Sequence, residues 1–366
     1  MNGREMSNDF KTNKWLLPVS WLYGFGVSVR NLLFDRGLLR SLSFDIPVIS
    51  VGNISVGGTG KTPHVEYLIR LLRPDFKVAV LSRGYKRATQ GFVLADNNST
   101  SRDIGDEPKQ IKSKFGDVVV AVDEDRCDGI EQLLAIPSTS GLDVVLLDDA
   151  FQHRYVKPGL SILLVDSNRL ITDDALLPAG RLREPASGKQ RADIIVVTKC
   201  RADMSASDIQ RVTRALTPAA HQEIFFSCME YQRLQPLFCG EDLPLSQLDE
   251  NVLLVSGIAN PSPLLSELRR HTSHIRHLSY PDHHHFTASD IAAIQEAYET
   301  LPQPRCIITT EKDAARLGNA KRLSDEARRN IYQLPIRVRI LENKQDLFDK
   351  KIKNYVSDHS RDRILD

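Results

Sequence analysis

Ile46-Pro-Val-Ile-Ser-Val-Gly-Asn-Ile-Ser-Val-Gly-Gly-Thr-Gly-Lys-Thr62 is the stretch that decides the fold. An apolar, β-branched run enters a glycine-rich loop closing on Gly60-Lys61-Thr62, and Val65 to Leu72 continues with apolar residues at helical spacing. Strand, glycine-rich loop and helix in that order are the context of a phosphate-binding P-loop. Loop N–H groups turned inward and the partial positive charge of a helix N-terminus both suit a phosphate. Lys61 is then expected at the outer phosphates, and the Thr62 hydroxyl on Mg²⁺. The usual pattern has Gly five residues before Gly60, where this chain has Ser55; Gly57 and Gly58 supply the loop's freedom instead. An ordinary glycine-rich turn containing Lys-Thr is the competing reading, and the flanking strand and helix weigh against it.

Outward from this stretch the chain alternates strands and helices. Strand candidates are 46–51, 77–82, 117–122, 144–147, 161–166 and 193–198. Continuous apolar runs such as Val144-Val-Leu-Leu147 and Ile194-Ile-Val-Val197 fit strands buried on both faces. They predict a P-loop NTPase-like α/β core with a mostly parallel sheet over residues 41–224. A second, smaller α/β domain is expected over 251–334, with strands at 252–256 and 306–310 and helices at 263–272 and 289–301. Residues 225–250 read as an extended linker. Residues 335–366 read as a strand at 336–341 returning to pair with that connector, then a charged tail in a solvated helix.

A chain of 366 residues suits two domains and buries a sizeable core without staples. The 48 basic and 47 acidic residues leave a net charge of +1, so bulk electrostatics suggest no nucleic-acid partner. Five cysteines with no close pair read as reduced thiols. Residues 1–14 are polar and mixed in charge, and no secretory signal is expected. Trp15 to Val29 carries no charge, holds both tryptophans with Tyr23 and Phe25, and is followed by Arg30, Asp35, Arg36 and Arg40. A membrane span needs about twenty apolar residues, so residues 1–40 are expected to dock on headgroups as an interfacial helix. A helix packed on the protein's own core is the alternative.

Asp143-Val-Val-Leu-Leu-Asp-Asp-Ala-Phe-Gln-His153 runs an apolar strand into Asp148-Asp149. An acidic residue ending a neighbouring buried strand helps hold Mg²⁺ in P-loop proteins. In Gly105-Asp106-Glu107-Pro108, Asp106 or Glu107 is a candidate to accept the proton of an acceptor hydroxyl; a plain surface turn is the other reading. In Leu177-Pro-Ala-Gly-Arg-Leu-Arg-Glu-Pro185, Arg181 and Arg183 are candidates to neutralise phosphate and Glu184 to join a metal shell, against a solvated connection. Asp282-His-His-His285 invites a metal reading, but adjacent histidines rarely converge on one ion. A single His tuning a carboxylate fits better. Arg83 and Arg126 follow strands, where loops at the carboxyl ends of a parallel sheet face the ligand crevice. Each on its own is equally a surface salt bridge.

One ordered set carries a resemblance: Gly52-Asn53 with Gly57-Gly-Thr-Gly-Lys-Thr-Pro63, Ser82-Arg-Gly-Tyr85, Gly105-Asp-Glu-Pro108, Asp148-Asp149 with Phe151-Gln-His153, Leu182-Arg-Glu-Pro185, Asp282-His-His284 with Phe286, and Thr309-Thr-Glu-Lys-Asp-Ala314. Over roughly residues 15 to 342 the chain resembles the tetraacyldisaccharide 4'-kinases of lipid A biosynthesis, with Ala150 where the family usually has Gly. The resemblance implies transfer of the γ-phosphate of ATP to the 4'-hydroxyl of a tetraacyldisaccharide 1-phosphate, forming lipid IVA. It implies a peripheral or monotopic enzyme on the cytoplasmic face of the bacterial inner membrane, with no obligate protein partner. Nucleotide contacts fall to Asn53, Gly57, Gly58, Thr59, Gly60, Lys61, Thr62 and Pro63. Mg²⁺ falls to Thr62, Asp148, Asp149 and Glu184. Asp106 is the base, tuned by His283, with Lys61 also catalytic. Arg83, Arg126, Gln152 and His153 meet the acceptor's head group, and Thr309–Ala314 is placed near the nucleotide. A kinase of a soluble sugar or nucleoside and a nucleotide-dependent switch ATPase are the rivals; the first has no use for the aromatic N-terminus, and the second makes no phosphorylated product.

Overall fold

The computed structural model of the chain describes residues 12–248, 250–282, 284–317 and 323–365. Among these, the larger sheet is built from β1 (Val48–Gly52), β2 (Val78–Ser82), β3 (Val93–Leu94), β4 (Val119–Val122), β5 (Val144–Asp148), β6 (Leu160–Asp166), β7 (Ile194–Thr198) and β8 (Glu223–Tyr231). A smaller sheet takes β9 (Gln235–Pro236), β10 (Asn251–Ser256), β11 (Ile275–Ser279), β12 (Arg305–Thr310) and β13 (Ile331–Leu334), and β14 (Ile336–Ile340) returns to the larger one. The orders are β14-β8-β7-β6-β1-β5-β2-β4-β3 and β11-β10-β12-β13-β9. Pairing is parallel except for β3 on β4, β14 on β8 and β9 on β13.

The apolar runs explain this arrangement. Every residue of β1, β2, β5 and β7 is buried, because helices cover both faces and no face needs polar residues. Parallel neighbours require crossovers, and helices such as Lys61–Leu72, Arg126–Ala135 and Ala206–Leu216 supply them. β1 is therefore central, and its carboxyl end and that of its neighbour β5 open on the same side.

The stretch expected as an extended connector begins instead as β8. Phe225 and Phe226 are buried on opposite sides of it, and β14 pairs with it from Ile336 on Tyr231 to Ile340 on Ser227. The tail expected as a solvated helix is a helix, Gln345–Leu365, but Phe348, Ile352 and Val356 on one stripe join the main core. Its many charges hide that stripe in the sequence. Tyr355 donates its hydroxyl to the carbonyl of Val48 and accepts from the Val48 N–H, both at 3.2 Å, tying the tail to the first residue of β1.

The N-terminal helix, Leu17–Asp35, buries only Ser20, Gly24 and Phe34. Ser20 donates to the Leu176 carbonyl at 3.0 Å and accepts from the Ala179 N–H at 2.9 Å, and Tyr23 donates to the Arg183 carbonyl at 2.7 Å. Much of its apolar surface faces outward, Trp21 being 70% exposed, Leu22 74% and Phe25 69%, and Trp15 in the turn before it 93%. Among the described residues, no helix is long and apolar enough to cross a membrane.

Candidate active site

Residues 53–60 link β1 to the helix Lys61–Leu72. Gly60 takes a left-handed conformation, φ +85°, and a Cβ there would lie 2.9 Å from Met229, so only glycine fits without displacement. Asn53 donates to the Thr59 hydroxyl at 2.8 Å, and Thr198 at the end of β7 donates to the Thr59 carbonyl at 2.8 Å. The 176–183 segment braces the outer side: Val56 N–H donates to the Arg181 carbonyl and Arg183 N–H to the Ile54 carbonyl, each at 2.8 Å. Gly57, Gly58 and Pro63 lie in the same loop and first helical turn. The loop is thus held from two sides, with its helix N-terminus aimed into the crevice.

Lys61 Nζ lies 3.6 Å from Asp149 Oδ1, and Arg183 Nη1 lies 3.5 Å from Asp149 Oδ2. Asp149 itself sits at φ +50°, a left-handed turn that swings its carboxylate off the strand end. Asp148 is buried, and its Oδ2 accepts from Ser82 at 3.4 Å. Burial, then Glu107 and Asp149, pushes its carboxyl up to about 7 against the pull of Lys61 and Arg126. The Oδ1 atoms of both Asp148 and Asp149 are buried without a hydrogen-bond partner. Buried carboxylate oxygens left bare of donors are costly unless a cation meets them. Two such oxygens at the end of β5, with Thr62 in the first turn of the helix that follows the neighbouring β1, form a hard-oxygen donor set that fits Mg²⁺.

Glu184 is placed otherwise than the sequence suggested. It is buried, and its oxygens accept from Arg191 at 2.8 and 2.9 Å, from Gln152 at 3.2 Å and from Asn31 at 3.4 Å. A carboxylate so paired braces the N-terminal helix against the loop. Gln152 is part of the same brace, reaching also to the Asn53 carbonyl. Arg126 is likewise buried, donating to the carbonyls of Asp123 at 2.8 Å and Asp148 at 3.3 Å. It supports the Asp148-Asp149 turn from beneath, and its Nε has no hydrogen-bond partner among the described residues. Arg83 is exposed and makes no hydrogen bond or ion pair among the described residues. His153 is half-buried against Tyr155; burial, then Arg126, holds its ring below the usual histidine range. His283 lies outside the described residues.

Asp106 opens the helix Asp106–Lys114, and Gly105 before it takes φ +88° where a Cβ would crowd the Gly84 backbone at 3.2 Å. Asp106 Oδ2 accepts from Arg316 at 2.7 Å, and Glu107 lies 3.5 Å from Lys312. Thr309–Ala314, which the resemblance places near the nucleotide, meets the acidic turn through Lys312, with Arg316 just beyond it. The helix that follows β12, Glu311–Leu317, packs on Asp106–Lys114. Residues that sequence reasoning passed over include Arg316, Arg191 and His64. Arg316 stands three residues after Asp313, at helical spacing from a singled-out motif, and that was the available signal.

A family model described as tetraacyldisaccharide-1-P 4'-kinase matches residues 12–356. Two curated relatives carry the name tetraacyldisaccharide 4'-kinase. One from Bacteroides thetaiotaomicron is 55% identical over 96% of this chain and 95% of its own length. One from Phocaeicola vulgatus is 52% identical over 97% and 98%. Among solved structures, LpxK from Aquifex aeolicus in complex with ATP superposes with a TM-score of 0.73 at 30% identity, covering 94% of this chain and 99% of that one.

Proposed function

The chain belongs to the tetraacyldisaccharide-1-phosphate 4'-kinase family, and we propose that it transfers the γ-phosphate of ATP to the 4'-hydroxyl of a tetraacyldisaccharide 1-phosphate, forming lipid IVA and ADP. The observation that carries the reading is the pairing of Lys61, at the head of the phosphate loop, with the Asp148-Asp149 turn on the adjacent parallel strand. The loop N–H groups and Lys61 hold the β- and γ-phosphates, and Lys61 neutralises charge as the bridging P–O bond breaks. Asn53, through Thr59, keeps the loop open. Thr62, Asp148 and Asp149 would hold Mg²⁺, which supplies charge neutralisation on the phosphates when bound. Asp106 accepts the proton of the 4'-hydroxyl as its oxygen bonds to phosphorus. Arg83, Arg183 and His153 face the acceptor's head group. Arg126, Gln152 and Glu184 shape the site from behind it.

The lipid acceptor explains the N-terminal helix. Drawing acyl chains into water costs about 0.8 kcal/mol per CH₂, so the enzyme goes to the bilayer. Trp15, Trp21, Leu22 and Phe25 form an apolar face suited to the headgroup boundary, on the helix that also hydrogen-bonds Leu176, Ala179 and Arg183. We read the chain as peripherally attached, on the cytoplasmic face of the inner membrane. A soluble acceptor leaves that face without a use.

The test is transfer of labelled γ-phosphate to tetraacyldisaccharide 1-phosphate in mixed micelles. Wild type should form product, and Lys61→Ala should lose activity by a factor on the order of 10² or more. Intact ATP binding without transfer would move the acceptor assignment elsewhere.

A further inference from the structure

We propose that Arg316 is a positioning residue for the phosphoryl transfer, fixing the Asp106 carboxylate in one orientation from the second sheet's side of the crevice. The inference rests on the reading of Asp106 as the group that takes the hydroxyl proton. Arg316 Nη2 donates to Asp106 Oδ2 at 2.7 Å while Nη1 donates to Asp313 Oδ1 at 3.3 Å, and the arginine side chain is only 5% exposed. Asp313 is fully buried and anchored in turn. Its Oδ2 accepts from the Gly257 N–H at 2.9 Å and from the Thr310 hydroxyl at 2.7 Å. The guanidinium is therefore not a long side chain reaching at random; its planar fork is set by a buried carboxylate that the ends of β10 and β12 hold.

The two helices that meet here are matched in charge along their length. The acidic start of Asp106–Lys114 faces basic residues of Glu311–Leu317, Asp106 meeting Arg316 of its last turn and Glu107 meeting Lys312 of its first. At the other end Lys114 pairs with both Glu311 and Glu66. Asp106 and Glu107 at a helix start, and Lys114 and Arg316 in a last turn, also lie where the helix dipole favours their sign. A carboxylate at an open helix start samples several rotamers, whereas a base has to stay within about 3 Å of its proton. A misplacement of about 1 Å can cost on the order of 10²-fold in rate. Arg316 restricts that freedom, and it does so only while the smaller sheet is packed on the larger.

Steady-state kinetics on the full chain in mixed micelles tests this, with Arg316→Met, Arg316→Lys, Asp106→Asn and the Arg316→Met/Asp106→Asn double variant. Arg316→Met should lower kcat by about 30-fold while the KM for ATP moves less than about threefold, and Arg316→Lys should recover part of the loss. In the Asp106→Asn background, Arg316→Met should add less than about twofold, since it acts through a group already removed. Losses that multiply in full, or a raised KM with kcat intact, overturn the inference. Should Arg316→Met fail to fold, Arg316→Lys and Asp313→Asn carry the decision, and an unchanged kcat in both overturns it. If Asp106→Asn retains full kcat, the assignment of the base falls instead, which separates the two failures.

Discussion

His64 takes no part in the phosphate chemistry, yet both its ring nitrogens are engaged. Nδ1 lies 2.7 Å from the Gly60 carbonyl, which can only accept, so Nδ1 carries the hydrogen. Nε2 then accepts from the Ser227 hydroxyl at 3.0 Å, and the ring props the last residue of the phosphate loop against β8. Burial pushes its pKa down to about 4, partly offset by the Gly60 bond. A histidine depressed below its unfolded value of about 6.5 lends stability that is present above that pH and lost as pH falls towards 4. Wild type should therefore lose roughly 2 kcal/mol relative to His64→Asn between pH 7 and pH 5, read from urea unfolding at the two values. An identical gap at both would show that the ring is not held neutral. Residues of this sort are illegible in a sequence, because His64, Arg191 and Arg316 gain meaning only from partners on distant strands. Lys61, Thr62, Asp148 and Asp149 stood out because the chemistry restricts which side chains can hold phosphate and Mg²⁺. Glu184 was ambiguous for a plain reason: a carboxylate in an arginine-rich loop suits a metal and a guanidinium equally, and Arg191 claims it.

At the scale of elements, the buried runs of β1, β2, β5, β6 and β7 were legible almost to the residue, since strands covered on both faces are apolar nearly throughout, Ser50 and Ser161 being the buried exceptions within them. β11 and β13 went unseen because partial exposure dilutes their apolar pattern. The N-terminal helix has two loyalties that its sequence could not apportion. Ser20, Tyr23 and Asn31 are bonded to the site's loops, while the tryptophans look outward. Deleting the helix would damage both functions at once, so point changes are the cleaner probe. Trp21→Glu with Phe25→Glu should weaken sedimentation with anionic vesicles by about tenfold or more, each aromatic being worth on the order of 1.5–3 kcal/mol when buried. The melting temperature should move by no more than about 1 °C, as exposed positions allow. Unchanged vesicle binding would assign the apolar face to something other than lipid.

Over the whole molecule, the C-terminal helix closes the main core that the sequence reading left open to solvent. Ile352 is fully buried there beside Phe348 and Val356. Ile352→Ala should cost about 2–5 kcal/mol, measured as a lowered urea midpoint at unchanged slope, whereas a truly solvated tail would lose almost nothing. The same overview exposes how the smaller sheet is attached. The chain leaves the larger sheet at Tyr231 and re-enters at Ile336, and these residues are paired neighbours, with the Gln232 N–H donating to the Pro335 carbonyl at 2.9 Å. A two-stranded ribbon bends across its plane far more readily than it stretches or shears. The smaller unit is thus hung like a door on two adjacent pins, and any opening about them would carry Arg316 along one arc back to Asp106. The hanging then sets where the latch meets its keeper before the latch closes.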